Sequence, residues 1–397
     1  MAGHKENILS MGLTIQPTPG TFNPPTSADL IPISSPDNGF DAITADDDTL
    51  TGTLWNAPRI FLGSRGRAGA TARLRGPGGA TPPAANGWIL GRILQAAGFT
   101  EIRNPTPITA VVQANAIVDN IKLDVAASAV DDFYKGYPIA HATLGSGMRA
   151  YSMIRSYVGS TKIATISENA SAAIAAGNYT IPAGLFYVLS TGLSIPLLSC
   201  SVWRHRKRYD YFDCALSSFA INVPVANAQS TDTPTIEFAL VGTPVVPPVD
   251  DLAPALPASI LGPIAPAKAG KFALSKTLIG HSTLRLEFGL DSGAPPNQNF
   301  DPGQETYEIM SGTRTVTLDV NQQLAATLAI ETLADQQTIT PLESFWGLGL
   351  GNRFGIGVPN MLLNPFSPTG RNGFVGMNGD AVMNDIDRSV NFSLIYA

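Results

Sequence analysis

The sequence predicts a mainly β chain, made of duplicated β-sandwich or barrel-forming units with a short flanking helix and a small all-β insertion. Three observations predict it. Charged residues are 14% of the 397 positions, against about 25% in ordinary globular chains, while 38 glycines and 31 prolines supply turns. Short apolar–polar alternations with period two recur along the chain, bounded by turn residues. Only one segment has clear helical spacing.

Residues 1–50 predict an extended N-terminal arm. Pro17, Pro19, Pro24, Pro25, Pro32 and Pro36 punctuate it, and Asp46, Asp47 and Asp48 follow. Proline fixes φ and removes a donor, so no regular ladder is expected there. A first unit covers 51–110 plus 191–242. In it, Arg59–Leu62 and Ala70–Arg75 alternate between Gly63, Gly66, Gly69 and Gly76 and predict a hairpin. From Trp88 to Ala97, Ile89, Leu90, Ile93 and Leu94 share one helical face, with Gly98 as C-cap.

Residues 111–190 predict the all-β insertion, with strands at Ile121–Val125, Tyr151–Tyr157 and Lys162–Ile166. Residues 171–176 predict a helical turn or a loop. Residues 202–214, 215–225 and Thr235–Val241 return to the first unit. The proline- and alanine-rich stretch 243–268 predicts an extended linker. A second unit follows over 269–397, with strands at Thr283–Leu290, Thr306–Met310, Thr313–Val320 and Val390–Tyr396. Leu324–Ile330 is open between strand and helix, and Gly347–Gly357 is a glycine-rich stretch before the last strand.

Three ordered matches suggest the duplication. Gly69–Gly76 matches Gly280–Gly289, Tyr209–Val223 matches Tyr307–Val320, and Thr235–Val241 matches Ser389–Ile395.

Little of this points to chemistry. His4, His141, His205 and His281 are scattered and none has a cysteine at metal-ligand spacing. Cys200 and Cys214 predict two reduced, buried thiols. Gly347, Gly349 and Gly351 lack the third spacing of a nucleotide fingerprint and predict a turn. Asn169 and Asn391 begin sequons by chance, and Asp131–Asp132 is expected to be exposed. The run Arg204-His205-Arg206-Lys207-Arg208 is the one strong charge cluster. It fits a solvated strand, or a contact between subunits with Asp46–Asp48, better than a nucleic-acid site. No catalytic, cofactor-binding or metal site is expected, and no enzyme. No signal peptide is expected from the polar opening, no apolar run reaches membrane-spanning length, and the net charge of -6 argues against a basic nucleic-acid face.

The opening Gln16-Pro-Thr-Pro-Gly-Thr-Phe22 and Pro25–Pro32 resembles the arm of major tail tube proteins of long-tailed (siphovirus-type) bacteriophages. Ala72–Gly76 followed by Gly91–Gly98 is similar to that family's strand, loop and helix. Tyr209–Gly242 resembles its paired strands. The insertion, with Tyr134-Lys-Gly136 and Gly159–Ala164, resembles a small β unit of several phage virion proteins. The resemblance implies a virion structural protein, made and assembled in the host bacterial cytoplasm. It self-assembles into stacked rings, and DNA passes through the lumen during ejection without specific binding. Its implied partners are further copies of itself and the tape measure, terminator and distal tail proteins. Family members are usually shorter and hexameric, so a duplicated chain implies a trimer with pseudo-sixfold symmetry in preference to a hexamer. The expected lumen is neutral to acidic with sparse Lys and Arg, and loss of residues 1–50 is expected to weaken stacking more than folding. The alternatives are a minor tail or baseplate ring protein and, from another class, a surface carbohydrate-binding module.

Overall fold

The computed structural model describes residues 10–46, 59–113, 117–174, 176–189, 195–204, 206–225, 232–256, 264–267, 270–293, 308–321, 331–371, 374–383 and 390–396. The fold is mainly β. Eighteen strands form one hydrogen-bonded sheet system and six form a second sheet.

The widest part of the large sheet is eight strands across, each antiparallel to the next. In spatial order they are Ser34–Asp46, Arg59–Arg73, Thr235–Asp250, Lys207–Pro224, His281–Gly293, Glu308–Asn321, Phe374–Met383 and Ser367–Arg371. The order repeats. In each half a hairpin lies beside the last strand of a following pair, so chain order 1-2-3-4 becomes spatial order 1-2-4-3. The duplication is therefore topological, and its strand equivalences differ from those of the sequence matches. Gly69–Gly76 ends the second strand of its hairpin, whereas Gly280–Gly289 lies in the first strand of the other. Thr235–Val241 is in the eight-stranded layer, whereas Asn391–Ile395 pairs with Gly184–Leu189 and Arg353–Leu363 in the opposite layer. Period-two patterns are alike in any half-buried strand, so they match out of register easily.

That opposite layer runs Phe99–Asn104, Gly184–Leu189, Asn391–Ile395, Arg353–Leu363, Thr340–Gly347 and Lys271–Leu274. The core fills the space between the layers. Phe238, Phe219, Leu286, Phe288, Val316 and Leu318 point into it from the eight-stranded side. The helix Ile89–Ala96 lies against it with Ile93 and Leu94 fully buried. Its end is capped as expected: Gly98 adopts φ 94° and donates its N–H to Gln95 O.

Several expectations are corrected. The arm joins the core from Ser10: Ser10–Ile15 pairs with Leu198–Arg204, and Met11 and Leu13 are fully buried. The prolines bound these strands and do not abolish them. Gly12 admits Pro25, since a Cβ there would meet the proline Cβ at 2.5 Å. Pro36 sits at a register shift on an edge strand, where a missing donor is tolerated. Removing residues 1–50 is therefore expected to cost folding stability as well as stacking.

Arg59–Arg73 is one continuous strand whose hairpin partner is Ser34–Asp46. Its glycines mark close approach and not turns. A Cβ on Gly66 would meet Tyr211 Cδ1 at 2.5 Å. The first part of the expected linker continues the strand Thr235–Asp250, paired with residues 207–212. Pro244, Pro247 and Pro248 are tolerated because the pairing with Arg59–Arg73 ends at Gly242, which leaves that side open. Glu308–Asn321 is likewise one strand running through Gly312. Residues 171–174 are irregular. Trp55, His4, His205, Asp47, Asp48 and Leu324–Ile330 lie outside the described residues.

The six-stranded sheet spans Ile108–Val111 to Asn178–Ile181, so it starts just before the expected insertion 111–190, while Gly184–Leu189 inside those bounds returns to the large sheet. Its two ends meet at a bridge in which Gln113 N donates to Lys122 O at 2.9 Å, so the sheet almost closes on itself. Tyr134, Tyr157 and Tyr179 fill it.

Candidate assembly surface

The eight-stranded layer has one face on the core and one face open. Residues on directly opposed positions share a face, so the register defines rows across the open side. One row is Arg73, Thr235, Asn222, Arg285, Thr317 and Asp380. The next is Thr71, Glu237, Ala220, Glu287, Thr315 and Val382. Most of these side chains are short and uncharged. Several of the longer ones are paired: Arg285 lies between Glu237 at 2.9 Å and Glu287 at 3.2 Å. Arg67 reaches Asp37 at 3.3 Å and Asp41 at 3.6 Å, and Arg65 reaches Asp41 at 3.8 Å.

The layer has two free edges among the described residues. Ser34–Asp46 pairs only with Arg59–Arg73, and Ser367–Arg371 pairs only with Phe374–Met383. The first is 13 residues long. An unpaired edge of that length is a template for another strand.

The layer also has two unlike ends. Strand ends 46, 59, 207, 250, 293, 308 and 383 gather at one end, called here the tip. Ends 34, 73, 224, 235, 281 and 321 gather at the other, the base. Beyond Gly66 the hairpin 34–73 leaves its neighbour and runs on as a two-stranded ribbon. There Ile60 is 51%, Phe61 66% and Leu62 43% exposed.

The basic run lies at the tip, in the turn between Leu198–Arg204 and Lys207–Pro224. Two of its members have partners within the chain. Lys207 pairs with Asp250 at 3.0 Å, and Arg208 with Asp210 at 3.0 Å and Asp251 at 2.8 Å.

Other singled-out residues stand apart from this surface. His141 is buried, and its Nδ1 accepts from Thr143 N as the N-cap of a short turn. Burial lowers the His281 imidazole to about 4, and its ring stacks on Phe272 at 4.2 Å. Cys200 and Cys214 are buried and free, and burial pushes both thiols up. Gly347, Gly349 and Gly351 all take positive φ in a tight turn, and the second half of the glycine-rich stretch is the strand Arg353–Leu363. Asn169 is exposed and Asn391 buried. Asp131 and Asp132 are exposed and accept from Gly159 N and Tyr157 N.

The chain matches no known family model and no curated protein sequence. No helix among the described residues is long and apolar enough to cross a membrane.

Sequence reasoning missed one buried cluster. Lys271 Nζ pairs with both Glu168 and Glu343, all three being at most 3% exposed. Glu343 Oε2 also accepts from Ser152 Oγ and Met153 N, each at 2.8 Å. Lys276 adds an outer pair to Asp119 at 2.5 Å. The small sheet is inserted in the first half of the chain, yet this cluster docks it on strands of the second half. Burial is the largest influence on Glu168 and raises it, Lys271 opposes that, and the nearby Glu343 charge adds to the rise. No motif could reveal this site, because Glu168 and Lys271 are 103 residues apart.

Proposed function

We propose that the chain is a virion structural protein, the major tail tube protein of a long-tailed bacteriophage. It assembles side by side into rings that stack into a tube. The observation that carries this reading is the eight-stranded antiparallel layer with two free edges, built from the same four-strand order twice. Joining Ser34–Asp46 of one copy to Ser367–Arg371 of the next removes both edges, and closure into a ring leaves none. The doubled order favours three copies, giving six equivalent four-strand segments, over six copies. The open face then lines the lumen.

That face is less poor in arginine than the sequence suggests, but three of its four named arginines are engaged by carboxylates. Asp37, Asp41, Glu237, Glu287 and Asp380 offset Arg65, Arg67, Arg73 and Arg285. Such a wall holds few free cations to release counterions from passing DNA, so it would guide DNA without gripping it. Tape measure, terminator and distal tail proteins are the partners this role requires.

Negative-stain electron microscopy of the purified chain tests the reading. Rings or tubes with a central hole are expected, and rotational averaging should give three subunits. Isolated particles at every concentration and salt would overturn it in favour of a minor ring protein or a binding module.

A further inference from the structure

Three buried ionisable side chains meet where the small sheet docks on the second half. Lys271 Nζ is in contact with Glu168 and lies 2.9 Å from Glu343 Oε1. The two carboxyls are also within hydrogen-bonding reach of each other, so each group contacts the other two. With both carboxyls ionised and the amine protonated, the cluster would hold an uncompensated negative charge away from water, which is strongly disfavoured. One proton held by a carboxyl leaves the cluster neutral. Burial, the largest influence on Glu168, raises it, which puts that proton on Glu168. Glu343 is fixed in place: Ser152 Oγ and Met153 N both donate to its Oε2 at 2.8 Å, which leaves Oε1 to the amine. The Phe345 ring lies 5.5 Å from Nζ, and Tyr151, Met153 and Ile395 pack with it into an apolar wall.

We propose that Lys271 and Glu168 condense into an intramolecular isopeptide bond, with Glu343 as the catalytic acid–base, joining the small sheet covalently to the second half. An amine and an unionised carboxyl held in contact are the reactants of amide formation. Glu343, ionised at the start, takes one proton from the Lys271 ammonium. The freed amine attacks Glu168 Cδ and a C–N bond forms. Glu343 hands its proton to the departing hydroxyl and takes the next one from the nitrogen, and the C–O bond breaks as water leaves. Glu343 ends protonated, nothing is oxidised or reduced, and no co-reactant is needed. Groups fixed in contact reach effective concentrations on the order of 10⁵ M or more, which stands in for chemical activation of the carboxyl. Condensation also replaces two buried charges with a neutral amide and a neutral Glu343, which removes the desolvation cost of the ion cluster. The bond links residues 103 positions apart. A freshly folded chain holds the three groups as the ion cluster described above, and only in that form does Glu168 titrate. The reaction takes place within one copy and is independent of ring assembly.

Intact-mass spectrometry of the purified full chain, from fresh folding through prolonged incubation, tests the bond. A final mass one water below that of the sequence is expected, after allowance for N-terminal processing. Proteolysis should then release a branched peptide that joins the segments of Glu168 and Lys271. Full mass at every time overturns the proposal and leaves a plain ion cluster. A water loss mapped to another site, such as an aspartyl imide, overturns it equally. The wild-type mass decides this whether or not any variant folds. Lys271→Met should keep its full mass. Glu343→Gln preserves the shape of the side chain but cannot take the ammonium proton, so condensation should slow by roughly a hundredfold or more. A Glu343→Gln chain, folded by circular dichroism, that condenses at the wild-type rate would overturn the role given to Glu343.

Discussion

The two halves of the chain share one strand order but close their outer hairpins differently. In the second half, Thr340–Gly347 and Arg353–Leu363 are joined by a turn of three positive-φ glycines. In the first half, Phe99–Asn104 and Gly184–Leu189 pair in the same way, but the six-stranded sheet is inserted between them. That sheet then docks on the second half through Lys271, Glu168 and Glu343. A repeated fold has thus become a single body: an element that belongs covalently to one half is held by buried charges of the other.

The largest way to break that connection is Lys271→Met. It leaves two carboxylates buried without their shared cation, and a loss of about 3–5 kcal/mol is expected. Urea titration checks it. A smaller loss would mean that the apolar contacts of Tyr151 and Met153 with Phe345 hold the seam alone.

Next is the helix of the first half. Ile93→Ala should cost about 2–5 kcal/mol because the site is fully buried. In the second half the described helical residues 331–335 bury Ala334, so Ala334→Gly should cost about 1 kcal/mol. Thermal unfolding of the pair measures the asymmetry, and equal losses would contradict it.

Glycines sharpen the comparison further. Gly66→Ala would press a methyl onto the Tyr211 ring at 2.5 Å, with an expected cost of about 1–3 kcal/mol. Gly289→Ala in the second half meets the Thr313 hydroxyl at 2.8 Å, a side chain that rotates away, so a smaller loss is expected from the same titration.

The smallest effect separates the seams by pH. Burial opposes ionisation of Asp29, but hydrogen bonds from Thr26 and Arg92 outweigh it and hold its carboxyl below the ordinary 3.8. Its stabilisation is present above that value and fades as pH falls through the lowered one. Glu168 is raised above the ordinary 4.5, so its contribution is complete below that value and fades as pH rises through the raised one. Asp29→Asn should flatten the acid loss of stability, while Glu168→Gln should remove a loss on the neutral side. The same pH response in both variants would contradict the assignment.

Much of the local structure was legible in the sequence. Ile89, Leu90, Ile93 and Leu94 mark the helix because 3.6-residue spacing has no strand equivalent, and Ile236, Phe238 and Leu240 mark a strand by strict alternation. Pairing was not legible. Alternation says which face of Thr235–Asp250 is buried but not that Arg59–Arg73 lies beside it, since register is set by distant segments. Gly63, Gly66 and Gly69 look like turns because a glycine needed for close packing and one needed for positive φ are the same letter. The Lys271 cluster was equally invisible, being assembled from residues far apart in the chain.

The strand count of the wide layer has a consequence of parity. Eight is even, so Ser34–Asp46 and Ser367–Arg371 run in opposite directions at the two margins. A second chain placed alongside in the same orientation always meets its neighbour antiparallel, and the alternation never has to break at a seam. An odd count would force one parallel junction per subunit, with slanted and slightly weaker bonds. Loss of a single marginal strand would therefore change the sense of every junction, and not merely narrow the sheet.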